Sequence, residues 1–379
     1  MKKKIIFVVI SILIAFFVSI VVDRTLGIYL NKIGYFKAMV PNVTKIYDTK
    51  EFYTIGKTSS QGLRNEEVKI PKPKGTFRIL AVGDSFTYGW GVDLNKGWVK
   101  LLESKLRVKG KTVEMINAGD PGIGLTKIRQ ICRAYTSQFN IDLVLVDLFG
   151  DDIYRAANDD ENIPFIEQLI SNIWPILSRI RSPIIFDSTW RDVNPGDTIR
   201  FSGVFKEKIK EDLKKNPTLL LHVSPEIRTD FLNGKINPGL AYQALADPDF
   251  WNYYLNPDKF AFALNSTEKR LELLKERCGK IPVIVVFIPP PELVSNYYQP
   301  FKRAYGYSID PALSRFDIDS YLKKIVEKSK FSYISVLNKM REDGCTDCYY
   351  KYDLHFNEKG NNKFANFIAP EIQKILNRL

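Results

Sequence analysis

The pattern of apolar and polar positions divides the chain into an uncharged lead and a series of short buried strands separated by amphipathic helices. Residues 5–22 carry no charge; Met1-Lys2-Lys3-Lys4 precedes them and Asp23-Arg24 closes the run. A run of that length crosses a bilayer as a helix. Lysines on its N-terminal side predict a cytoplasmic N-terminus with the remainder outside. A cleaved signal peptide would need a shorter apolar core and a small-x-small site, and no clear Ala-x-Ala follows, so the expectation is an uncleaved anchor over 1–24. Residues 25–75 show no sustained period and read as a stem and lead-in, ending in Pro71-Lys-Pro-Lys-Gly75. Beyond it, apolar runs of the fully buried kind predict strands over 77–82, 113–117, 143–149, 282–288 and 331–336. Amphipathic spacing predicts helices over 98–106, 126–135, 267–278, 318–328 and 360–379.

Strands alternating with helices imply βαβ units and a parallel sheet covered on both faces. In such sheets chemistry gathers at the carboxyl ends of the strands. The stretch from about 151 to 265 is too long for a simple crossover and reads as an insertion in a domain over 76–379. Its Trp174, Trp190, Tyr242, Trp251, Tyr253 and Tyr254 could stack on sugar rings or line a cap; the stronger reading is the core of the insertion itself, since aromatics chiefly supply buried area.

Composition narrows the class. With 45% apolar and 26% charged residues the chain is globular. The net charge of +12 is spread along the sequence without a nucleic-acid-binding signature, so no nucleic-acid partner is expected. Of the cysteines, Cys345-Thr-Asp-Cys348 lacks the second pair a zinc ribbon needs. Outside the cytoplasm it suits a local disulfide, with two free buried thiols the alternative. Cys132 and Cys278 fall on predicted helices and read as small core residues.

Candidate chemistry follows the strands. Gly83-Asp84-Ser85-Phe86-Thr87 comes after the first, leaving a Ser hydroxyl at the sheet rim beside a backbone N–H able to face an oxyanion. Asn117-Ala-Gly119-Asp-Pro-Gly122-Ile-Gly124 follows the second, and its spacing is neither a dinucleotide loop nor a P-loop. Phe149-Gly150-Asp151-Asp152 follows the third. Near the C-terminus, Asp353-Leu354-His355 precedes the last helix and uses one of only two histidines. Residues i and i+2 of an extended segment share a face, so Asp353 is expected to fix the tautomer of His355. His222 reads as a satisfied structural residue.

These blocks, in this order, resemble the SGNH (GDSL-like) hydrolase superfamily over about 77–379 apart from the insertion. Ser59-Ser-Gln-Gly-Leu-Arg64 is also similar to the lead-in of membrane-anchored members. The resemblance implies a three-layer α/β/α sandwich with a flavodoxin-like parallel sheet. It implies Ser85 as nucleophile, His355 as base, Asp353 as its orienter, and an oxyanion hole from Ser85, Gly122 and the position of Asp151. It implies no metal or organic cofactor. The expected partners are an acylated small molecule or cell-envelope glycan and, through the apolar helix, the membrane. The expected activity is extracytoplasmic ester hydrolysis, with glycan O-acyl transfer or non-catalytic glycan binding as alternatives. The chain departs from the family in two places. One residue rather than two separates Asp353 from His355, and Asp151 stands where the family has Asn. An amide donates a hydrogen bond, whereas a carboxylate only accepts.

Overall fold

The computed structural model describes residues 2–33, 35, 37–158, 170, 173–174, 176–177 and 193–378. The apolar lead forms one helix, Lys2–Lys32, running past the expected end of the anchor at 24. Within it Lys4–Leu30 is long and apolar enough to cross a membrane. Trp190 lies outside the described residues. Trp174 packs edge-on against Phe16, 5.4 Å between ring centroids, and its Nε1 donates to Ser19 Oγ at 2.9 Å. Asp23, buried, accepts from the N–H groups of Ile176 and Leu177.

The stem contains a hairpin, β1 (Thr44–Asp48) and β2 (Tyr53–Lys57), antiparallel in register. The central strands follow as β3 (Thr76–Val82), β4 (Thr112–Asn117) and β5 (Leu143–Phe149). Within the insertion, β6 (Thr198–Arg200) pairs in parallel with β1, so stem and insertion share a small sheet of order β2-β1-β6. The stretch read as a stem with no sustained period thus contains two short strands. The pattern is hard to see because each strand is short and β1's partner lies far away in sequence. The main sheet is completed by β7 (Val283–Ile288) and β8 (Ser332–Ser335).

The main sheet has the order β4-β3-β5-β7-β8 with every pair parallel. This is the flavodoxin-like order. The chain moves outward from β3 to β4, then back past β3 to β5. Right-handed connections therefore put successive crossovers on opposite faces, making three layers. Trp98–Lys105 packs with Glu358–Leu376, and Leu125–Gln138 packs with Pro257–Cys278. Both β5 and β7 are buried along their whole length, as near-continuous apolar runs require.

The insertion is narrower than its expected limits of 151 and 265. Gly150–Asn158 is a helix continuing directly from β5, and Pro257–Cys278 is the long crossover helix leading to β7. The latter begins ten residues before the expected start because Asn256 caps it, accepting from Lys259 N–H, with Pro257 at its first position. Between them, Phe201–Lys215, Pro225–Leu232 and Gly239–Ala246 are helical. Tyr253 and Tyr254 are buried with both hydroxyls donating to Gly150 O, which agrees with the packing role, whereas Trp251 is buried and also borders a cavity at the sheet's carboxyl edge.

Cys345 and Cys348 are joined, and so are Cys132 and Cys278, with Cα atoms 5.9 Å apart. The second bond corrects the reading of those two as core thiols. They sit 146 residues apart on the facing helices Leu125–Gln138 and Pro257–Cys278, so no local spacing reveals them.

Candidate active site

Ser85 begins a single helical turn, Ser85–Tyr88, at the carboxyl end of β3. Asp84 caps that turn, its Oδ1 accepting from Phe86 N–H at 2.8 Å. Beneath the turn lies Asp147, a wholly buried acid in the middle of β5, which accepts from the Thr87 hydroxyl and from Asp84 N–H. Gly83 makes this possible: a Cβ there would lie 1.9 Å from the Asp147 carboxyl. The amides on either side of Ser85 are thus engaged. The Ser85 N–H itself has no hydrogen bond among the described residues.

Ser85 Oγ lies 2.7 Å from His355 Nε2, and His355 Nδ1 donates to Asp353 Oδ1 at 2.6 Å. That second bond fixes the tautomer whose Nε2 can accept the serine proton. The three residues expected from sequence are therefore brought together. The dyad is not built on an extended segment, however. Leu354 has φ of +67° and its N–H bonds Tyr350 O, so Asp353 and His355 meet across a tight turn. A left-handed bulky residue is strained and persists only where its surroundings hold it.

Those surroundings come from the segment before β3 and from the loop after Ser85. Glu51, in the β1–β2 turn, accepts from the N–H groups of Lys351, Tyr352 and Asp353 at 2.7, 2.9 and 2.8 Å. Trp90 Nε1 donates to Asp353 Oδ2 at 3.0 Å, while its ring stacks on His355 at 5.6 Å between centroids. Tyr47 of β1 and Phe201 of the insertion pack on Trp90 in turn. Arg64 of the lead-in is buried over the Tyr88 ring and donates to Val92 O. Neither Glu51 nor Trp90 carried a sequence signal; Asp147 did, as a lone acid in an apolar strand.

Electrostatics favour the base and crowd the acids. Burial alone would lower the His355 pKa, but the charge and hydrogen bond of Asp353 outweigh it and hold the imidazole above its ordinary value. Asp84 is pushed up to about 6, by burial and then by the charge of Asp151. Burial first, and then neighbouring carboxyls, drive Asp147 and Asp152 well above the usual carboxylate range. Asp84, Asp151 and Asp152 each set a carboxylate oxygen within 4.8 Å of the others.

A cavity of about 480 Å³ opens over Ser85 and His355. Gly122 and Asp151 line it, so every expected oxyanion position borders the same space as the nucleophile. Gly122 has φ of +84°, which explains the glycine. Its N–H has no hydrogen bond among the described residues. Asp151 is buried and paired with Arg155, whose Nη2 lies 2.7 Å from its Oδ2. Arg155 was missed, although its place four residues along a helix is the spacing at which such pairs form. Phe201, Val204, Phe205 and Leu240 of the insertion form an apolar roof, and Phe149 and Trp251 a second wall. His222 takes no part in the Ser85–His355–Asp353 contacts; its Nε2 lies 2.9 Å from Ala241 O.

No family model matches the chain. Among curated proteins it is 28% identical over 127 residues to an arylesterase of Vibrio mimicus, covering 31% of this chain and 60% of that protein. It is 24% identical over 139 residues to thioesterase 1/protease 1/lysophospholipase L1 of Escherichia coli K12, covering 35% and 62%. The matches thus span about three-fifths of these relatives. Superposition on solved structures pairs it with TesA, at 12% identity and TM-score 0.37 over 79% of this chain and 99% of that one. It also pairs with the acetylxylan esterase Axe2 of Geobacillus stearothermophilus, at 12% identity and TM-score 0.38 over 78% and 94%. With its ordered motif blocks at the rim of a flavodoxin-order sheet, and with partial similarity to an arylesterase and a thioesterase, the chain resembles the SGNH (GDSL-like) hydrolases.

Proposed function

We propose that the protein is a serine ester hydrolase in which Ser85 is the nucleophile, His355 its general base and Asp353 the group that orients and stabilises the imidazole. The observation that carries this reading is the unbroken path Ser85 Oγ–His355 Nε2, His355 Nδ1–Asp353 Oδ1, at 2.7 and 2.6 Å. Ser85 Oγ bonds to the ester carbonyl carbon as its proton passes to His355 Nε2, and the π pair moves onto the carbonyl oxygen. The pair returns, the C–O bond to the alcohol breaks, and His355 gives its proton to the departing oxygen. Water then repeats the sequence on the acyl-enzyme and restores Ser85. The N–H groups of Ser85 and Gly122 serve the oxyanion.

The apolar roof and wall suit the acyl side of the ester and leave room for groups larger than acetyl. The proposed setting is extracytoplasmic, with the substrate an O-acyl group on a cell-envelope glycan. The lysine-flanked apolar helix supports that side of the membrane, and so do the two disulfides, which persist in oxidising compartments. The proposed division of the chain is an anchor, a stem that braces the base loop, and the hydrolase domain with its insertion. A reporter fused after Leu379 that works only when exported should be active; activity from a cytoplasm-only reporter would reverse the topology.

Full-length protein in detergent should cleave aryl acetates and longer aryl esters, and Ser85→Ala should remove the activity while its circular dichroism is unchanged. A second reading, O-acyl transfer to a sugar hydroxyl, draws on the apolar lining that Phe201, Phe205 and Leu240 give the cavity. Movement of labelled acyl onto an oligosaccharide, faster than its release to water, would select it.

A further inference from the structure

Asp151 occupies a position where the oxyanion needs a donor, and a carboxylate has none. Left bare, its charge would repel the oxyanion, more strongly in a partly desolvated cavity than in water. The charge is not bare. Arg155, one turn along the same helix, sets Nη2 2.7 Å from Asp151 Oδ2, while its Nη1 donates to Gly122 O at 3.2 Å. The guanidinium therefore bridges the loop after β4 and the start of the helix after β5, the two oxyanion positions that lie away from Ser85. It borders the same cavity as Ser85 and His355, and its side chain is 36% exposed there. A guanidinium has five N–H groups in a rigid fork, so these two contacts leave others for a ligand.

The cavity's other cations are placed differently. Lys302 is buried, with Nζ 2.6 Å from Glu292 and 3.1 Å from the centre of the Trp251 ring. Lys208, on the roof, pairs with Asp212 at 3.1 Å. Among the described residues, only Arg155 links Gly122 with Asp151.

We propose that Arg155 is the third oxyanion donor, and that Asp151 is the positioning residue that holds it. The Asp151–Arg155 pair does the work of the asparagine amide: the carboxylate is neutralised in place and the guanidinium faces the forming oxyanion. Arg155 touches the reacting oxygen; Asp151 acts through it. A charge-assisted pair orients a guanidinium better than an amide would, so Asp is the appropriate residue at 151 once Arg155 is present. The proposal rests on the serine-hydrolase reading above.

The test compares steady-state kinetics of the full-length protein with Arg155→Gln, Arg155→Lys, Asp151→Asn and the Arg155→Gln/Asp151→Asn double variant, using one aryl ester. Arg155→Gln should lower kcat by about a hundred- to a thousandfold, the loss typical of one oxyanion donor, with little change in KM. Arg155→Lys keeps the charge but cannot bridge both partners, so its kcat should fall to an intermediate value. The diagnostic result is a reversal of sign. In the Arg155→Gln background, Asp151→Asn should raise kcat, because it removes an unpaired carboxylate and supplies an amide. In the wild-type background the same change should not raise it, because it releases Arg155. Added guanidinium ion at millimolar concentration should partly restore Arg155→Ala, which a purely structural role would not allow. Wild-type kcat in Arg155→Gln or in Arg155→Lys, or the same effect of Asp151→Asn in both backgrounds, would overturn the proposal. A fluorophosphonate control separates the two levels. No adduct at Ser85 of the wild type would overturn the serine reading and this one with it. An adduct there, with unimpaired Arg155→Gln, would overturn the role of Arg155 alone.

Discussion

Ser85 and His355 face each other at 2.7 Å, but they are supported from different parts of the molecule. Ser85 stands on the main sheet: β3 delivers it, Asp84 caps its turn, and Asp147 of the neighbouring β5 anchors that turn from below. His355 sits on a strained turn after Tyr352, held by Glu51 from the stem and Trp90 from the loop after Ser85. The proposed nucleophile thus depends on contacts within the βαβ core. The proposed base depends on a segment more than three hundred residues away in sequence. On the proposed mechanism, the segment between the apolar helix and β3 is part of the catalytic apparatus, not a spacer. Deleting it to make a shorter soluble protein would remove the brace on the base.

The largest effects should arise where both halves meet. Ser85→Ala and His355→Ala should each lower kcat by about 10⁶, and the double variant should be hardly worse, because members of a triad act as a unit. Additive losses would mean the two do not form one device. Asp353→Asn comes next, at about 10⁴ in kcat, through loss of the tautomer. It also carries a pH signature. As a base, His355 works when neutral, so activity is present above its pKa and fades as pH falls through it. Asp353 raises that pKa, so Asp353→Asn should move the acid limb of kcat/KM to lower pH. An unmoved limb would assign it to another group.

Glu51→Ala separates the two supports directly. It frees three loop N–H groups without touching Ser85, His355 or the core, and should cost about a hundredfold in turnover through misplacement of the base. Turnover at the wild-type level in Glu51→Ala would show that Trp90 and the turn suffice. The smallest effect on catalysis is expected from the Cys132→Ser/Cys278→Ser variant, which unties two core helices that carry none of Ser85, Asp353 and His355. Denaturant titration should show a loss of about 2–5 kcal/mol with turnover unchanged. A large fall in kcat there would mean that core rigidity reaches the site.

The same division governs what the sequence reveals. The five core strands, their helices and the motif blocks are local signals: apolar runs, periodicity, and Gly or Ser placed just after a strand. The expected boundaries of β3, β4, β5, β7 and β8 lie within about two residues of those observed. Glu51 and Trp90 leave no such trace, because an acid in a turn or a tryptophan in a loop gains its role only from a distant partner. The pairing of β6 with β1 and the Cys132–Cys278 bond are hidden for the same reason. The Asp353–His355 contact was legible while its geometry was not, since alternation along an extended strand and a left-handed turn at Leu354 can both bring residues i and i+2 together. Asp151 looked like a defect in isolation, and the Arg155 ion pair gives it a context that residue identity alone did not.

The nucleophile is tested most directly by covalent capture. Full-length protein is incubated with a fluorophosphonate, digested, and its labelled peptide sequenced by mass spectrometry. The account predicts one adduct, on Ser85, absent from Ser85→Ala and much slower to form in His355→Ala. Folded protein that takes no label, or takes it on another residue while Ser85→Ala still cleaves esters, would contradict it.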